Sequence, residues 1–254
     1  MNVRTYGTDE RLGFCREYLL KEKISSVSQI VLLPIPTTRD GVTVLGLGKT
    51  PSELFSEPLF DAAVVGYGMP RSFKESFSDS RVTLVDVSLD EVFVEENARL
   101  TADGAVGKIL TEENAAPSEL SIGIIGYGRI GKRLLNLLLL LGANAVVFTS
   151  RAELQRELCA LGVSSLPSAA LSDISELERL SGLDIIINTA PAPLMSEEVA
   201  KGLSGVKIIE LASGNNLPVS DGVVRLPSLP ARMYPRSAGR ALASSVLRML
   251  GERQ

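Results

Sequence analysis

Residues 121–135, SIGIIGYGRIGKRLL, limit what the chain can fold into more than any other stretch. An apolar run of strand length ends in Gly126-x-Gly128-x-x-Gly131, and an apolar run of helical length follows, through Leu141 to Gly142. Glycines at this spacing mean little alone; between a strand and a helix each has a task. Gly126 permits the tight turn, Gly128 lets a pyrophosphate approach the backbone, and Gly131 lets the helix pack closely on the strand. The helix N-terminus then offers N–H groups and positive potential to phosphates. The spacing predicts a parallel α/β dinucleotide-binding unit with Gly126, Tyr127, Gly128, Arg129, Ile130 and Gly131 around the phosphates.

The next strand bears on which dinucleotide is bound. A unit that takes NAD(H) ends its second strand in a carboxylate, about 20 residues past the glycines, that binds the ribose 2′-hydroxyl. Here NAVVFTS (144–150) ends in Phe148-Thr149-Ser150-Arg151, with no carboxylate before Glu153. A guanidinium attracts a 2′-phosphate and can bind it with two parallel bonds, whereas a carboxylate repels it. Thr149 and Ser150 add hydroxyls. NADP(H) is therefore expected over NAD(H); the plain alternative is that Arg151 merely starts a helix at the surface.

LDIIINTA (183–190), VKIIELAS (206–213) and GVVRLP (222–227) read as further strands, with a helix near RAELQRELCALG. Ligands of such sheets lie beyond the carboxyl ends of the strands. That makes cofactor-binding candidates of Asn188, Thr189, Ala190, Pro191, Ala212, Ser213, Leu229 and Pro230. Each fits a plain strand-to-helix connection equally well.

The first half repeats the alternation. QIVLL (29–33), DAAVVGYG (61–68) and RVTLVDVS (81–88) are strands by length and β-branching, and RLGFCREYLL (11–20) is a helix. Residues 97–116 predict a connecting helix, capped by Thr101 or Asp103, running to about Asn114 and stopped before Pro117. The last helix is expected over 236–252. The fold class is thus α/β, with two Rossmann-like domains of parallel strands, 1–96 and 117–235, joined by helices 97–116 and 236–254. GVTVLGLGKT (41–50) resembles a phosphate-binding loop only in its end; four residues before Gly48-Lys49-Thr50 would have to separate it from a glycine, and Thr43 stands there.

Composition excludes several function classes. The 254 residues contain no histidine, which removes Ser-His-Asp hydrolysis, His-ligated zinc and the His acid/base of many 2-hydroxy-acid dehydrogenases. The net charge of −4 speaks against a nucleic-acid partner. Cys15 and Cys159 form no metal-spaced pair, and no metal site is expected; a reducing cytoplasm is the simple reading. The start, NVRTYGTDER, gives no sign of a signal peptide. The longest apolar run, Leu137–Leu141, is far below the roughly 20 residues that span a bilayer, so a buried helix rather than a membrane segment is expected.

Asn188-Thr189-x-Pro191, Leu211-Ala212-Ser213, and Leu229-Pro230 followed by Pro235-Arg236-Ser237-Ala238-Gly239 resemble the dipicolinate synthase A family, which is related to the two-domain 2-hydroxy-acid dehydrogenases. NARLTADG (97–104), LLPIPTTRDGV (32–42) and Arg151 fit the same pattern, and the resemblance covers most of residues 29–252. It departs at the start: only KISSVS separates the first helix region from QIVLL, where a further strand is expected, so the first domain reads as a shortened flavodoxin-like unit for substrate or partner. The resemblance implies NADP(H)-dependent oxidation of a cyclic dihydro- or hydroxytetrahydropyridine dicarboxylate to dipicolinate, as in sporulation. It also implies a second, flavoprotein-like subunit as partner; a homo-oligomer is expected as well. A dicarboxylate in the inter-domain cleft calls for cations: Arg39 first, then Arg232 and Arg236. Asp103, Lys108 and Tyr234 complete the catalytic candidates. Two other readings stand beside it: another NADP(H)-linked dehydrogenase of the 2-hydroxy-acid or shikimate type, and a cofactor-binding subunit without turnover.

Overall fold

A computed structural model of the chain describes residues 1–55, 59–77, 81–218 and 222–251. It divides into two units: Met1–Leu100 with the segment from Pro230 onward, and Thr101–Leu229. Both are α/β, and both contain a sheet of parallel strands, as the alternation of apolar runs and helices predicts.

The first unit runs β1 (Asn2–Thr5), α1 (Glu10–Leu19), β2 (Gln29–Leu32), α2 (Pro51–Leu54), β3 (Phe60–Gly66), α3 (Arg71–Glu75), β4 (Arg81–Asp86) and the start of α4 (Glu91–Glu112). Its strands lie in the order β1-β2-β3-β4, all parallel. Successive residues of β2 face opposite layers. Ile30 and Leu32 join Leu12, Cys15 and Leu19 of α1, together with Leu242 and Val246 near the C-terminus, while Val31 and Leu33 join Met69, Phe73 and Phe77. Helical layers on both faces explain why β2 and β3 read as unbroken apolar runs. No strand lies between α1 and β2 among the described residues; the extra strand is β1, ahead of α1. It gives no sequence signal because only Val3 of its four residues is buried.

The start of α4 corrects the expected cap. The helix begins at Glu91, and Asp90 caps it by accepting from the Val92 N–H at 3.1 Å. Thr101 and Asp103 are interior to the helix, with Thr101 buried at 7 % exposure. The segment 41–50 forms a turn closed by a Val44–Lys49 bridge. Thr50 then caps α2 in a reciprocal capping box with Glu53, so this hydroxyl serves a helix of one turn.

The second unit runs β5 (Ser121–Ile125), α5 (Arg129–Leu140), β6 (Asn144–Phe148), α6 (Ala152–Ala160), β7 (Ser164–Leu166), α7 (Leu177–Ser181), β8 (Ile185–Asn188), α8 (Glu197–Gly202), β9 (Lys207–Glu210) and β10 (Val223–Arg225). The chain then forms α9 (Leu229–Met233) and α10 (Pro235–Met249). The expected end of the last helix at 252 lies outside the described residues. The six described strands lie in the order β10-β9-β8-β5-β6-β7, all parallel, so the direction of winding reverses between β5 and β8. In sheets of this order ligands bind at that reversal.

α5 is only half the buried helix its leucines suggest. Leu134, Leu135 and Leu138 are buried on the sheet, but Leu140 is 84 % exposed, and Leu139 and Leu141 are also exposed. A period of 3.6 residues cannot turn consecutive leucines to one face. Among the described residues no helix is long and apolar enough to cross a membrane.

In the first unit α1 and α10 meet at backbone distance. A Cβ at Gly239 would stand 2.6 Å from Phe14 Cβ and 2.7 Å from the Arg11 carbonyl oxygen. Arg11 itself is almost fully buried, its Nε donating to both oxygens of Asp9 and its amino groups to the Ile35 carbonyl and to Asn97 Oδ1.

Candidate functional site

The turn after β5 has the shape its glycines require. Gly126 has φ +91°, a left-handed conformation that strains any residue with a Cβ. Its N–H donates to the Phe148 carbonyl at 2.9 Å, which ties this turn to the end of β6. A Cβ on Gly131 would lie 2.2 Å from the Gly126 carbonyl oxygen, so only glycine lets α5 start this close to β5. At Gly128 the opposite holds: an added Cβ would meet nothing within 4 Å. Gly128 is the N-cap of α5 and supplies no side-chain cap. The first turn of a twelve-residue helix therefore opens on free space beside a bare backbone, the surroundings a pyrophosphate needs. By this measure the residues present fit a dinucleotide. Tyr127 is turned inward, 7 % exposed, with Lys132 Nζ 5.2 Å from its ring centre. Burial, with a smaller effect of Glu157, raises its pKa.

Beside this turn, β6 ends in Phe148 and the chain enters α6 through Thr149, Ser150 and Arg151. Ser150 and Arg151 are exposed. Thr149 is buried, and its hydroxyl oxygen accepts from the Arg151 N–H at 3.4 Å while its carbonyl accepts from Gln155 Nε2 at 2.9 Å. Thr149 thus shapes the turn, and Ser150 and Arg151 present the polar groups.

The end of β8 is committed inward. The Thr189 hydroxyl donates to the Ile125 carbonyl at 2.8 Å and lies under Gly126 and Gly131. Asn188 is 1 % exposed. Its Oδ1 accepts from the Ala190 N–H, and its Nδ2 donates to the Ala190 carbonyl at 3.1 Å and to Glu210 Oε1 at 2.8 Å. The Asn188 carbonyl accepts from the N–H groups of Leu211 and Ala212. Glu210, at the end of β9, is 3 % exposed, and its Oε2 accepts from the Leu217 N–H at 2.9 Å. Burial raises its pKa against the opposing pull of these bonds. Glu210 is not among the residues that the motifs single out, although a carboxylate inside the apolar run KIIELA is a visible anomaly. Pro191 and Ser213 are exposed, and Ala190 and Ala212 are half-buried. These four are the parts of the two strand-end segments open to a ligand.

The remaining candidates fall in both units. Arg39 is exposed on the loop after β2, and its neighbour Asp40 organises that loop. Asp40 accepts from the Thr43 hydroxyl, the N–H groups of Val42 and Thr43, and the Thr38 hydroxyl, which hold its carboxyl well below the usual range. Arg232 and Arg236 are exposed, Tyr234 is half-buried, and Leu229 and Pro230 are buried at α9. On α4, Asp103 faces Arg133 of α5 at 3.4 Å. Lys108 pairs with Glu112, which also takes Lys207. These pairs stabilise helix packing as they stand.

No protein-family model matches the chain. Over 166 residues it is 24% identical to dipicolinate synthase A of Bacillus subtilis (strain 168), a match over 62% of this chain and 54% of that protein. It therefore spans about half the length of that relative. The solved structure of dipicolinate synthase A from Bacillus halodurans superimposes with a TM-score of 0.75 at 20% identity, over 99% of this chain and 98% of that one. The chain has that fold. The solved structure of the Bacillus subtilis protein gives 0.74 at 16% identity, over 99% and 96%. A transhydrogenase from Sinorhizobium meliloti gives 0.63 at 15%, over 98% and 91%.

Proposed function

We propose that the chain is an oxidoreductase that uses a nicotinamide dinucleotide, NADP(H) before NAD(H). Its substrate is a cyclic dihydro- or hydroxytetrahydropyridine dicarboxylate, which it oxidises toward dipicolinate. The observation that carries the reading is the pairing of the Gly126–Gly131 turn with the Thr149–Arg151 turn through the Gly126–Phe148 hydrogen bond. One presents a backbone bare enough for a pyrophosphate; the other presents an exposed guanidinium and hydroxyl where a carboxylate would mark NAD(H). The likeness to dipicolinate synthase A supports the substrate class and a flavoprotein-like partner subunit.

The nicotinamide, when bound, accepts or delivers the hydride. The chain's own groups bind and orient. The α5 N-terminus holds the diphosphate, Arg151 with Ser150 holds the 2′-phosphate, and Pro191 and Ser213 flank the ring. Arg39, Arg232 and Arg236 are the cations offered to the substrate carboxylates, and Tyr234 is the candidate hydrogen-bond donor. A second reading, a cofactor-binding subunit that turns over only with its partner, is favoured over a 2-hydroxy-acid dehydrogenase by the absence of histidine.

Titration with NADPH and NADH by cofactor fluorescence tests the reading. The expected result is a Kd for NADPH at least tenfold below that for NADH; binding of neither, or a clear NADH preference, overturns the assignment. Hydride transfer to or from the pyridine dicarboxylate pair by the chain alone separates the enzyme from the partner-dependent subunit.

A further inference from the structure

We infer that Glu210 is a positioning residue: a buried carboxylate that clamps the segments after β8 and β9 into the arrangement that receives the nicotinamide end of the dinucleotide. The inference rests on the dinucleotide reading above and goes beyond it to a residue with no direct ligand role.

Three observations carry it. Glu210 is 3 % exposed at the carboxyl end of β9, where a carboxylate has no solvent to stabilise its charge. Its neighbours are donors: Asn188 Nδ2 to Oε1 at 2.8 Å and the Leu217 N–H to Oε2 at 2.9 Å, with the N–H groups of Asn216 and Ala212 also directed to it. An array of donors suits an ionised carboxylate and leaves a protonated one with a misplaced hydrogen. Finally, the donors come from both strand ends. Asn188 closes on Ala190 through its other bonds, so one carboxylate fixes the 188–191 segment and the 211–217 segment together. The register pairs Glu210 with Asn188 of β8 on one side and Arg225 of β10 on the other. Arg225 is the ionisable group facing Glu210 from these strands; it donates to the Leu217 carbonyl at 3.1 Å, and its buried Nε has no partner among the described residues. The 211–217 segment contains no ionisable residue.

Keeping this charge buried works against the fold, because burial raises the Glu210 pKa. A glutamine of the same shape would avoid that penalty and lose the array of accepted bonds. A site that needs two loops held in one geometry gives a reason to retain the carboxylate.

The test is Glu210→Gln in the full chain, with Glu210→Asp as the variant that keeps the charge and Asn188→Ala as an independent cut of the same link. Two readouts are taken: the Kd for NADP+ between pH 5 and 8, and amide hydrogen exchange of residues 188–191 and 211–217 without cofactor. The expected result is a Kd at pH 7.5 raised at least tenfold in Glu210→Gln, with exchange in both segments at least tenfold faster and partial recovery in Glu210→Asp. Wild-type affinity should also weaken on acidification more than that of Glu210→Gln, because titration of the dinucleotide's own phosphate is common to both. A Kd within twofold of wild type, or parallel pH profiles, overturns the inference. Should Glu210→Gln fail to fold, Asn188→Ala is read by the same Kd and exchange criteria. Absence of dinucleotide binding by the wild type overturns the cofactor reading and this role with it. Unchanged exchange in the variants overturns the clamp itself.

Discussion

Gly128 and Gly131 separate two demands, and a pair of alanine substitutions distinguishes them. At Gly131 the new methyl would lie 2.2 Å from the Gly126 carbonyl oxygen and 3.3 Å from Thr189 Oγ1. The first neighbour is backbone and cannot rotate away, so α5 must shift from β5. Overpacking of this kind costs about 1–3 kcal/mol, which at roughly 2–4 °C per kcal/mol lowers the melting temperature by about 3–10 °C. At Gly128 the backbone is extended, at φ −87° and ψ −161°, which alanine adopts freely, and the methyl meets nothing. Replacing an N-cap glycine by alanine costs at most about 1 kcal/mol. Gly128→Ala should therefore melt within about 4 °C of wild type, yet bind NADPH at least tenfold more weakly, about 1.4 kcal/mol, because the methyl occupies the space of the approaching phosphate. Thermal unfolding by circular dichroism and fluorescence titration give the two numbers. Unaltered NADPH affinity in Gly128→Ala would refute the reasoning about the bare backbone. An unaltered melting temperature in Gly131→Ala would refute the close approach.

Further outcomes follow from the same geometry. Arg151→Ala should raise the Kd for NADPH about 10- to 100-fold, the equivalent of one charge-assisted bond of about 1.5–3 kcal/mol, and leave that for NADH within threefold; equal losses for both cofactors would remove Arg151 from the 2′-phosphate. For Glu210 the folded pKa is raised, so its stabilising contribution is complete below its unfolded pKa and is lost as pH rises through the folded value. The melting temperature of wild type relative to Glu210→Gln should accordingly be higher at pH 4 than at pH 7; the reverse trend in thermal scans would contradict the burial account. Asp86 has the opposite sign. Burial acts against its charge, but bonds from Ser88, Gly68, Lys74 and Met69 outweigh that and lower its pKa. Asp86→Asn should destabilise the protein at pH 7 and hardly at all once both carboxyls are protonated near pH 2, as read by urea unfolding. Gly239→Ala, whose methyl would collide with α1, should lower the melting temperature by several degrees, and cofactor affinity should stay within twofold if the unit that contains Gly126 is intact.

What the sequence discloses depends on how far apart the interacting residues are. The β5–α5 turn is legible because strand, glycines and helix are contiguous, and each glycine's task is local. The order of the six-strand sheet follows from the same alternation. The edge strand β1 is silent because Val3 alone is buried. The start of α4 is concealed because Thr101 and Asp103 look like caps, while Asp90, the actual cap, precedes a stretch rich in β-branched residues and glutamates. Glu210 and Arg11 stay hidden for one reason: their partners lie 22 and 86 positions away, at Asn188 and Asn97. A charged residue in an apolar run signals burial with a partner, but sequence spacing alone does not say which.

The first unit is discontinuous in the chain, and this has a consequence for its synthesis. Its four strands and α1 have left the ribosome by Asp86, but α10, which supplies Leu242, Ala243 and Val246 to the same apolar layer, begins only at Pro235. At translation speeds of about 5–20 residues per second the interval is on the order of 10–30 s. Throughout it Leu12, Cys15 and Leu19 lack the surface that covers them, while the second unit, continuous from Thr101 to Leu229, emerges whole. The nascent chain thus presents a finished nucleotide fold beside an open-faced one. The period of greatest risk, from chaperone capture or from premature pairing with another chain, belongs to the half that is made first.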